Sequence, residues 1–216
     1  MSLPDSATPL AASYTNRLAA PTPTPGGGSA TAVAASIAAA LLQMGAGISL
    51  EKATDEQRPE LESAVRFAAS FRSRLLDLGA EDESAYSGFL DALRMPRLTL
   101  EDRELRKQMM ELATIRATSV PMEIAEMSLT LLKEIPGISR VANKNLLSDL
   151  AVAAHLAYGA ANGALVMVKV NLDSIKTPET KTELTAKYDQ LGIHLQLALS
   201  EALVLVGASS ESDLPF

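Results

Sequence analysis

The chain has 216 residues, a net charge of −7 and a pI near 4.9, and it contains no cysteine. Hydrophobic residues make up 47% of it, which is too many for a disordered chain and enough for the core of one domain. The acidic balance provides no positive field for nucleic acid, and the lack of cysteine excludes disulfides and thiolate metal sites. We expect one domain over residues 1–216, with loosely held ends at about 1–5 and 208–216.

Alanine accounts for roughly one residue in six, whereas Phe and Tyr number only four each. Apolar residues recur at helical spacing in nearly every segment, and no window alternates as a strand would. The pattern predicts an all-α fold, a multihelical bundle with long, buried, Ala-rich helices. Because a helix that is apolar all round must be covered all round, we expect the chain to pair in a homodimer.

Turn signals separate the predicted helices along the chain. A Pro/Gly turn precedes the second helix, Gly79 is expected to end the third, and Thr99 with Asp102 three residues later is typical of a capped helix start. Pro121 is expected to kink or divide the fifth helix, and Gly137 to end it. The predicted helices occupy about residues 6–20, 29–49, 59–79, 81–93, 99–137, 145–169 and 178–206.

No charged side chain occurs between Ala19 and Leu50, so this segment could be mistaken for a membrane span. Its first part is rich in Pro and Gly and the rest is mostly Ala, Ser and Thr, which provide little transfer free energy into lipid. We interpret it as a helix buried in protein and expect no membrane partner. The sequence after Met1 has no basic region ahead of an apolar one, so we expect a cytoplasmic location.

The segment Pro23-Thr24-Pro25-Gly26-Gly27-Gly28-Ser29 is the most specific local feature. Three glycines at a helix start leave backbone N–H groups uncovered and remove the side chains that would block a ligand. Two interpretations stay open: a ligand cradle, or a turn that lets two helices cross closely. The segment does not match a phosphate loop or a dinucleotide-binding motif, so we expect no nucleotide cofactor.

Asp149 is the only acidic residue between Glu134 and Asp173, close to the predicted start of a long helix. It can be explained as a helix-terminus residue that interacts with the helix dipole. Alternatively, it lies at the end of an apolar seam formed with Ala153, Leu156 and Ala160, where burial would raise its pKa into the range of a general acid or base. His155 and His194 lack ligand spacing, so we expect no metal site.

The segment Pro23–Ser29, with the Ala-rich helix that continues to Met44, resembles the cyclodeaminase/cyclohydrolase family of tetrahydrofolate enzymes. Weaker matches follow in the same order, and together they cover about residues 5 to 205. They are Asp82-Glu83-Ser84-Ala85-Tyr86, Met95-Pro96-Arg97, Val120-Pro121-Met122-Glu123-Ile124-Ala125, Ser148-Asp149 and Val170-Asn171-Leu172-Asp173-Ser174-Ile175-Lys176.

The resemblance implies an all-helical dimer that acts on the one-carbon unit of tetrahydrofolate and uses no other cofactor. One branch of the family closes formimino-tetrahydrofolate to the methenyl form with loss of ammonia, and the other hydrates methenyl- to formyl-tetrahydrofolate. We expect the first reaction, with the second as the alternative. By resemblance Asp149 is the general acid/base. The residues expected to bind the substrate are Gly26, Gly27, Gly28, Ser29, Lys52, Asp82, Lys144, Ser148 and Asn171.

The chain departs from the family pattern at two positions. Relatives carry Asn where this chain has Gly47 and Met167, and both replacements remove polar groups that could bind a ligand. A third hypothesis is therefore a member that binds folate without converting it, or a protein whose small-residue helices serve only for dimerisation.

Overall fold

The computed structural model describes residues 8–208, and within that range it contains six α-helices and no strand, as the sequence predicts. The predicted loose ends lie outside the described residues, apart from Ala208, which ends the last helix. The helices are α1 (Thr8–Ala19), α2 (Gly27–Ser49), α3 (Arg58–Arg94), α4 (Leu100–Val141), α5 (Leu147–Leu172) and α6 (Pro178–Ala208).

Four helices form a closed ring in which α2 packs on α3, α3 on α4, α4 on α5 and α5 on α2. Helix α6 lies against α4 and α5. The ring encloses one core of Ala, Leu, Ile and Val side chains. Many alanines of α2 and α5 are fully buried, including Ala35 and Ala157, so these two helices supply much of the core through small side chains.

Glycines lie where α2 packs against α3 and α5. A Cβ at Gly79 of α3 would lie 3.5 Å from the Cβ of Ala32 in α2, and one at Gly163 of α5 would lie only 2.7 Å from Cγ2 of Thr31. The prediction that Gly79 ends a helix is wrong, because α3 runs without interruption from Arg58 to Arg94. Gly79 instead lies inside a continuous helix, where it faces Ala32 and Ser29 of α2.

Helix α4 begins where the sequence predicts and ends later. The Thr99 hydroxyl accepts the N–H of Asp102 at 3.0 Å and the Asp102 carboxylate accepts the N–H of Thr99 at 3.0 Å, so the capping box is confirmed. The hydrogen bonds from the Thr99 N–H and hydroxyl lower the pKa of the exposed Asp102 carboxyl. Pro121 lies within this one helix, and Gly137 does not end it, since the helix continues to Val141.

The segments Gly27–Lys52 and Lys144–Leu172 are long and apolar enough to cross a membrane by length and composition alone. Core helices of globular proteins meet the same criteria. In this chain the two segments contain α2 and α5, and both helices pack against the other helices of the ring.

Candidate active site

A cleft of about 500 Å³ opens at the beginning of α2, where the glycine turn meets α3, α4 and the end of α5. We call it the glycine-turn cleft. Its size lies within the range of small-molecule sites. Its lining residues are Pro23, Thr24, Gly26, Gly27, Asp82, Tyr86, Phe89, Thr114, Ala117, Met167, Val170, Asn171 and Ser174.

Asp82 of α3 supplies a carboxylate to this cleft. One oxygen, Oδ2, accepts the backbone N–H of Ser29 at 3.0 Å. A Cβ at Gly28 would overlap the carboxylate, so only glycine lets Asp82 approach the first turn of α2 this closely. Burial raises the pKa of Asp82, the nearby Glu83 raises it further, and the hydrogen bond from the Ser29 N–H acts to lower it.

A hydrogen-bonded chain joins α1 to this corner of the site. The Tyr14 hydroxyl and the Ser29 hydroxyl lie 3.0 Å apart, and the Ser29 hydroxyl donates to Glu83 at 3.2 Å. Arg17 pairs with the other oxygen of Glu83 at 2.7 Å. Ser29 therefore holds Asp82 through its backbone and α1 through its side chain, which fixes the glycine turn against α3.

Asn171 of α5 is oriented by a proline in α4. Pro121 has no N–H, so the carbonyl of Ala117, four residues earlier, loses its usual helical donor. The side-chain NH₂ of Asn171 donates to this carbonyl at 2.8 Å. Asn171 lines the cleft, and with its amide nitrogen engaged at Ala117, its side-chain oxygen remains as a hydrogen-bond acceptor for a ligand.

Apolar and aromatic groups complete the lining. Tyr86 and Phe89 lie one turn and two turns after Asp82, with ring centroids 6.4 Å apart. The chain has only eight Phe and Tyr residues in total, and two of them line this cleft. Met167 of α5 also lines the cleft, and its Sδ would lie 3.3 Å from a Cβ at Gly27. Aromatic and thioether side chains such as these offer apolar surface to a ring system.

The cleft opens into a larger hollow of about 990 Å³ between the end of α3, the first half of α4 and the α5–α6 connection. We call this the outer hollow. Phe89, Thr114 and Ser174 line both spaces, and Lys107 and Lys176 supply cations. Burial acts to raise the pKa of Glu111, yet the N–H groups of Thr177 and Lys176 outweigh it, so the pKa is lowered.

The predicted site residues fall into two groups. Gly26, Gly27, Asp82 and Asn171 line the glycine-turn cleft, and Gly28 and Ser29 contact the Asp82 carboxylate. Apart from Asp82 of α3, the residues of both groups lie at or beside the ends of α2 and α5, which are 23 and 26 residues long. The second group lies at the other end of these helices and comprises Lys52, Lys144, Ser148 and Asp149.

Lys52 and Lys144 line a separate cavity of about 370 Å³. Asp149 lies in the first turn of α5 and Asn171 near the end of the same helix. At 1.5 Å per residue the two are about 33 Å apart, so one subunit does not bring Asp149 to the glycine-turn cleft. The role predicted for Asp149 stays a prediction.

Sequence analysis did not select Tyr86, Phe89, Thr114 or Ala117 as site residues. The signal for the aromatic pair was available, since positions three, four and seven residues apart share one face of a helix. The contributions of Thr114 and Ala117 depend on how α4 packs, which no local pattern reveals. Within residues 8–208 no group of three or more His, Asp and Glu side chains is arranged to hold a metal ion.

Comparison with known protein families shows which family the chain belongs to. The family model described as formiminotransferase-cyclodeaminase matches residues 11–190. The chain belongs to this family. Relatives include the formimidoyltransferase-cyclodeaminase of Mus musculus, 28% identical over 183 residues, and that of Gallus gallus, 30% identical over 180 residues. These alignments cover 80% and 77% of this chain and 33% of each relative, so the chain spans about a third of their length.

Two further relatives are closer to this chain in length. The methenyltetrahydrofolate cyclohydrolase of Methylorubrum extorquens is 28% identical over 137 residues, which is 63% of this chain and 66% of that protein. The crystal structure of formiminotetrahydrofolate cyclodeaminase from Thermotoga maritima superimposes with a TM-score of 0.81 at 24% identity. It covers 90% of this chain and 94% of that one, which shows that the fold is shared over nearly the whole chain.

Proposed function

We propose that the protein is a folate enzyme that converts formimino-tetrahydrofolate to methenyl-tetrahydrofolate with release of ammonia. The observation that carries the proposal is the glycine-turn cleft, in which a carboxylate, an amide and two aromatic rings surround a space open to a flat ligand. The family match and the names of the relatives support the same substrate class.

The cleft supplies what a reduced pterin requires. Tyr86 and Phe89 offer aromatic surface for the ring system, and the glycine turn allows the ring edge to approach backbone N–H groups. Asn171 presents its side-chain oxygen to the N–H groups of the ring. The outer hollow then receives the glutamate tail, whose carboxylates pair with Lys107 and Lys176.

The alternative reaction is hydration of methenyl- to formyl-tetrahydrofolate. The similarity to a methenyltetrahydrofolate cyclohydrolase supports it, and both reactions need a group that handles a proton beside the one-carbon unit. Both fit the same cleft. The reactions differ in the nucleophile, which is a nitrogen of the folate in one case and water in the other.

Spectroscopy of the purified protein separates these hypotheses. Methenyl-tetrahydrofolate has a near-ultraviolet band that the formyl form lacks. With formimino-tetrahydrofolate, we expect the band to appear together with one ammonia per turnover, faster than without protein. If the band instead disappears only when methenyl-tetrahydrofolate is supplied, the cyclohydrolase is the activity. If neither substrate reacts but folate raises Tm, the protein binds folate without converting it. If neither substrate reacts and folate leaves Tm unchanged, the folate proposal fails.

The same assay tests the sequence prediction for Asp149. If Asp149 is the general acid/base, Asp149→Asn lowers kcat at least a hundredfold with little change in binding of the methenyl product. Because Asp149 lies about 33 Å from Asn171 within one subunit, such a loss would require a second subunit to complete the site. An unchanged rate would leave Asp149 as a helix-terminus residue.

We also propose that a second copy of this chain covers the outer face of α2. Ile37, Met44 and Ile48 share this face and are 50%, 39% and 42% exposed. The face carries no charge, because no ionisable side chain occurs between Ala19 and Leu50. In a two-fold dimer the same patch meets itself, and an apolar face without charge is suited to that arrangement.

A further inference from the structure

We propose that Met167 of α5 keeps water away from the one-carbon unit, so that methenyl-tetrahydrofolate bound in the glycine-turn cleft resists hydration. The inference rests on the proposed folate function and deepens it, because it names a residue that favours loss of ammonia over addition of water. Since Asn is expected at this position in relatives, the inference concerns this chain and not its whole family.

Met167 lies beside the first turn of α2. Its Sδ atom would be 3.3 Å from a Cβ at Gly27, and a Cβ at the next residue, Gly28, would overlap the Asp82 carboxylate. Two successive glycines thus bring a thioether and a carboxylate close to the same helix start, and both side chains line the cleft. A thioether sulfur is only a weak hydrogen-bond acceptor, so the methionine offers water almost no partner there.

The neighbours of Met167 in the lining extend its apolar surface. Val170 follows on α5, Ala117 comes from α4 and Pro23 precedes the glycines, and all three line the cleft. Asn171, one turn after Met167, already donates its side-chain NH₂ to the Ala117 carbonyl at 2.8 Å. An ordered water usually makes about two to four hydrogen bonds, and the side chains along this wall offer few partners for them.

Hydration is the reaction that such a wall suppresses. Water adds to the carbon between N5 and N10, so a C–O bond forms, the bond from that carbon to N5 breaks, and N5 takes one proton of the water. The other proton is released to the solvent, and the positive charge of the methenyl group is lost with it. Ring closure of the formimino group needs no water, because N10 of the same molecule attacks the carbon and ammonia leaves. Exclusion of water therefore slows hydration without removing a reactant of ring closure.

The test compares Met167→Gln with Met167→Leu. Glutamine has nearly the length of methionine and introduces groups that bind water, whereas leucine keeps the position apolar. Val166→Gln is the matched control, because Val166 is the preceding residue of α5, is 62% exposed and lies outside the cleft lining. Each protein is mixed with a smaller amount of methenyl-tetrahydrofolate, at a concentration that saturates binding for that protein, and the decay of the near-ultraviolet band is followed.

We expect the band to decay at least about threefold more slowly with the wild type, Met167→Leu or Val166→Gln than in buffer, and we expect Met167→Gln to lose this protection. Met167→Asn is a second polar variant, in case glutamine lowers Tm too far for the assay, and it should lose the protection as well. Full protection by the folded polar variants, or loss of protection in Val166→Gln, overturns the inference.

The wild type alone also tests the inference. If the bound product decays as fast as in buffer while the protein still releases ammonia from formimino-tetrahydrofolate, the inference fails and the proposed function stands. If the wild type makes the band decay faster than in buffer, the inference fails and the cyclohydrolase is the activity. If the wild type neither binds nor converts either folate, the proposed function fails, and the inference fails with it.

Discussion

Pro121 affects the glycine-turn cleft although it does not line it. Its missing N–H leaves the Ala117 carbonyl without a helical partner, and Asn171 donates its amide to that carbonyl. The geometry of a residue on α5 is thus determined by a backbone feature of α4. An interior proline destabilises a helix by about 3 kcal/mol, and here it leaves the Ala117 carbonyl free to accept the hydrogen bond that orients Asn171.

The role of Pro121 predicts opposite effects on stability and on binding. In Pro121→Ala the new N–H bonds to the Ala117 carbonyl and competes with Asn171, so we expect Tm to rise while KM for the folate rises several-fold. Pro136→Ala is the matched control, because Pro136 lies in the same helix and outside the cleft. Its Tm should also rise, with KM unchanged. Equal KM values for both variants would contradict the role of Pro121.

At the scale of the elements, the antiparallel pair α2 and α5 depends on small residues at the crossing points. A Cβ at Gly163 would lie 2.7 Å from Thr31 Cγ2, and the Thr31 hydroxyl donates to the Gly28 carbonyl at 2.8 Å. Thr31 therefore joins the helix crossing to the glycine turn. A change at Gly163 should be felt in the cleft through this hydrogen bond.

The crossing predicts a double-mutant effect. Gly163→Ala should reduce the unfolding free energy by about 1–3 kcal/mol through overpacking against Thr31. Combined with Thr31→Ser, which removes the methyl group and keeps the hydroxyl, the same change should become neutral or stabilising. Gly192→Ala is the control, since a Cβ there meets nothing within 4 Å, and it should stabilise by up to about 1 kcal/mol. Additive effects in chemical denaturation would exclude the contact.

Two helix boundaries illustrate what local sequence predicts poorly. The start of α4 was predictable because Thr99 and Asp102 form their capping box within four residues. Gly79 does not end a helix, because it lies where α3 packs against α2, and that packing partner is distant in sequence. Gly137 was misread similarly, since no local signal showed that the helix continues beyond it to Val141.

For the whole molecule, the proposed burial of the outer face of α2 predicts that the protein is a dimer. In Ile37→Glu a charge would be buried in the proposed interface, so we expect sedimentation to show a monomer where the wild type is a dimer. Leu76→Glu is the matched control, as Leu76 is 49% exposed on α3. It should leave the mass unchanged. A monomeric wild type at micromolar concentration, or a dimeric Ile37→Glu variant, would contradict the proposed dimer.

The sequence alone determined the helical class, the position of the glycine turn and part of the lining of the glycine-turn cleft. Those features are local: helical periodicity, turn residues and a short motif specify them within a few residues along the chain. Gly26, Gly27, Asp82 and Asn171 were all selected before any contact was known. Among them Asp82 was expected to bind the substrate, whereas the acid/base role expected for Asp149 stays a prediction.

Tertiary structure decided which predicted residues share a site. Asp149 and Asn171 belong to one helix, yet about 33 Å of rigid α5 separates them, whereas Asp82 and Asn171 are far apart in sequence and line one cleft. The burial that raises the pKa of Asp82 arises from the packing of α2 against α3. The chemistry of a carboxyl group depends on its surroundings, and those surroundings form only when distant helices pack.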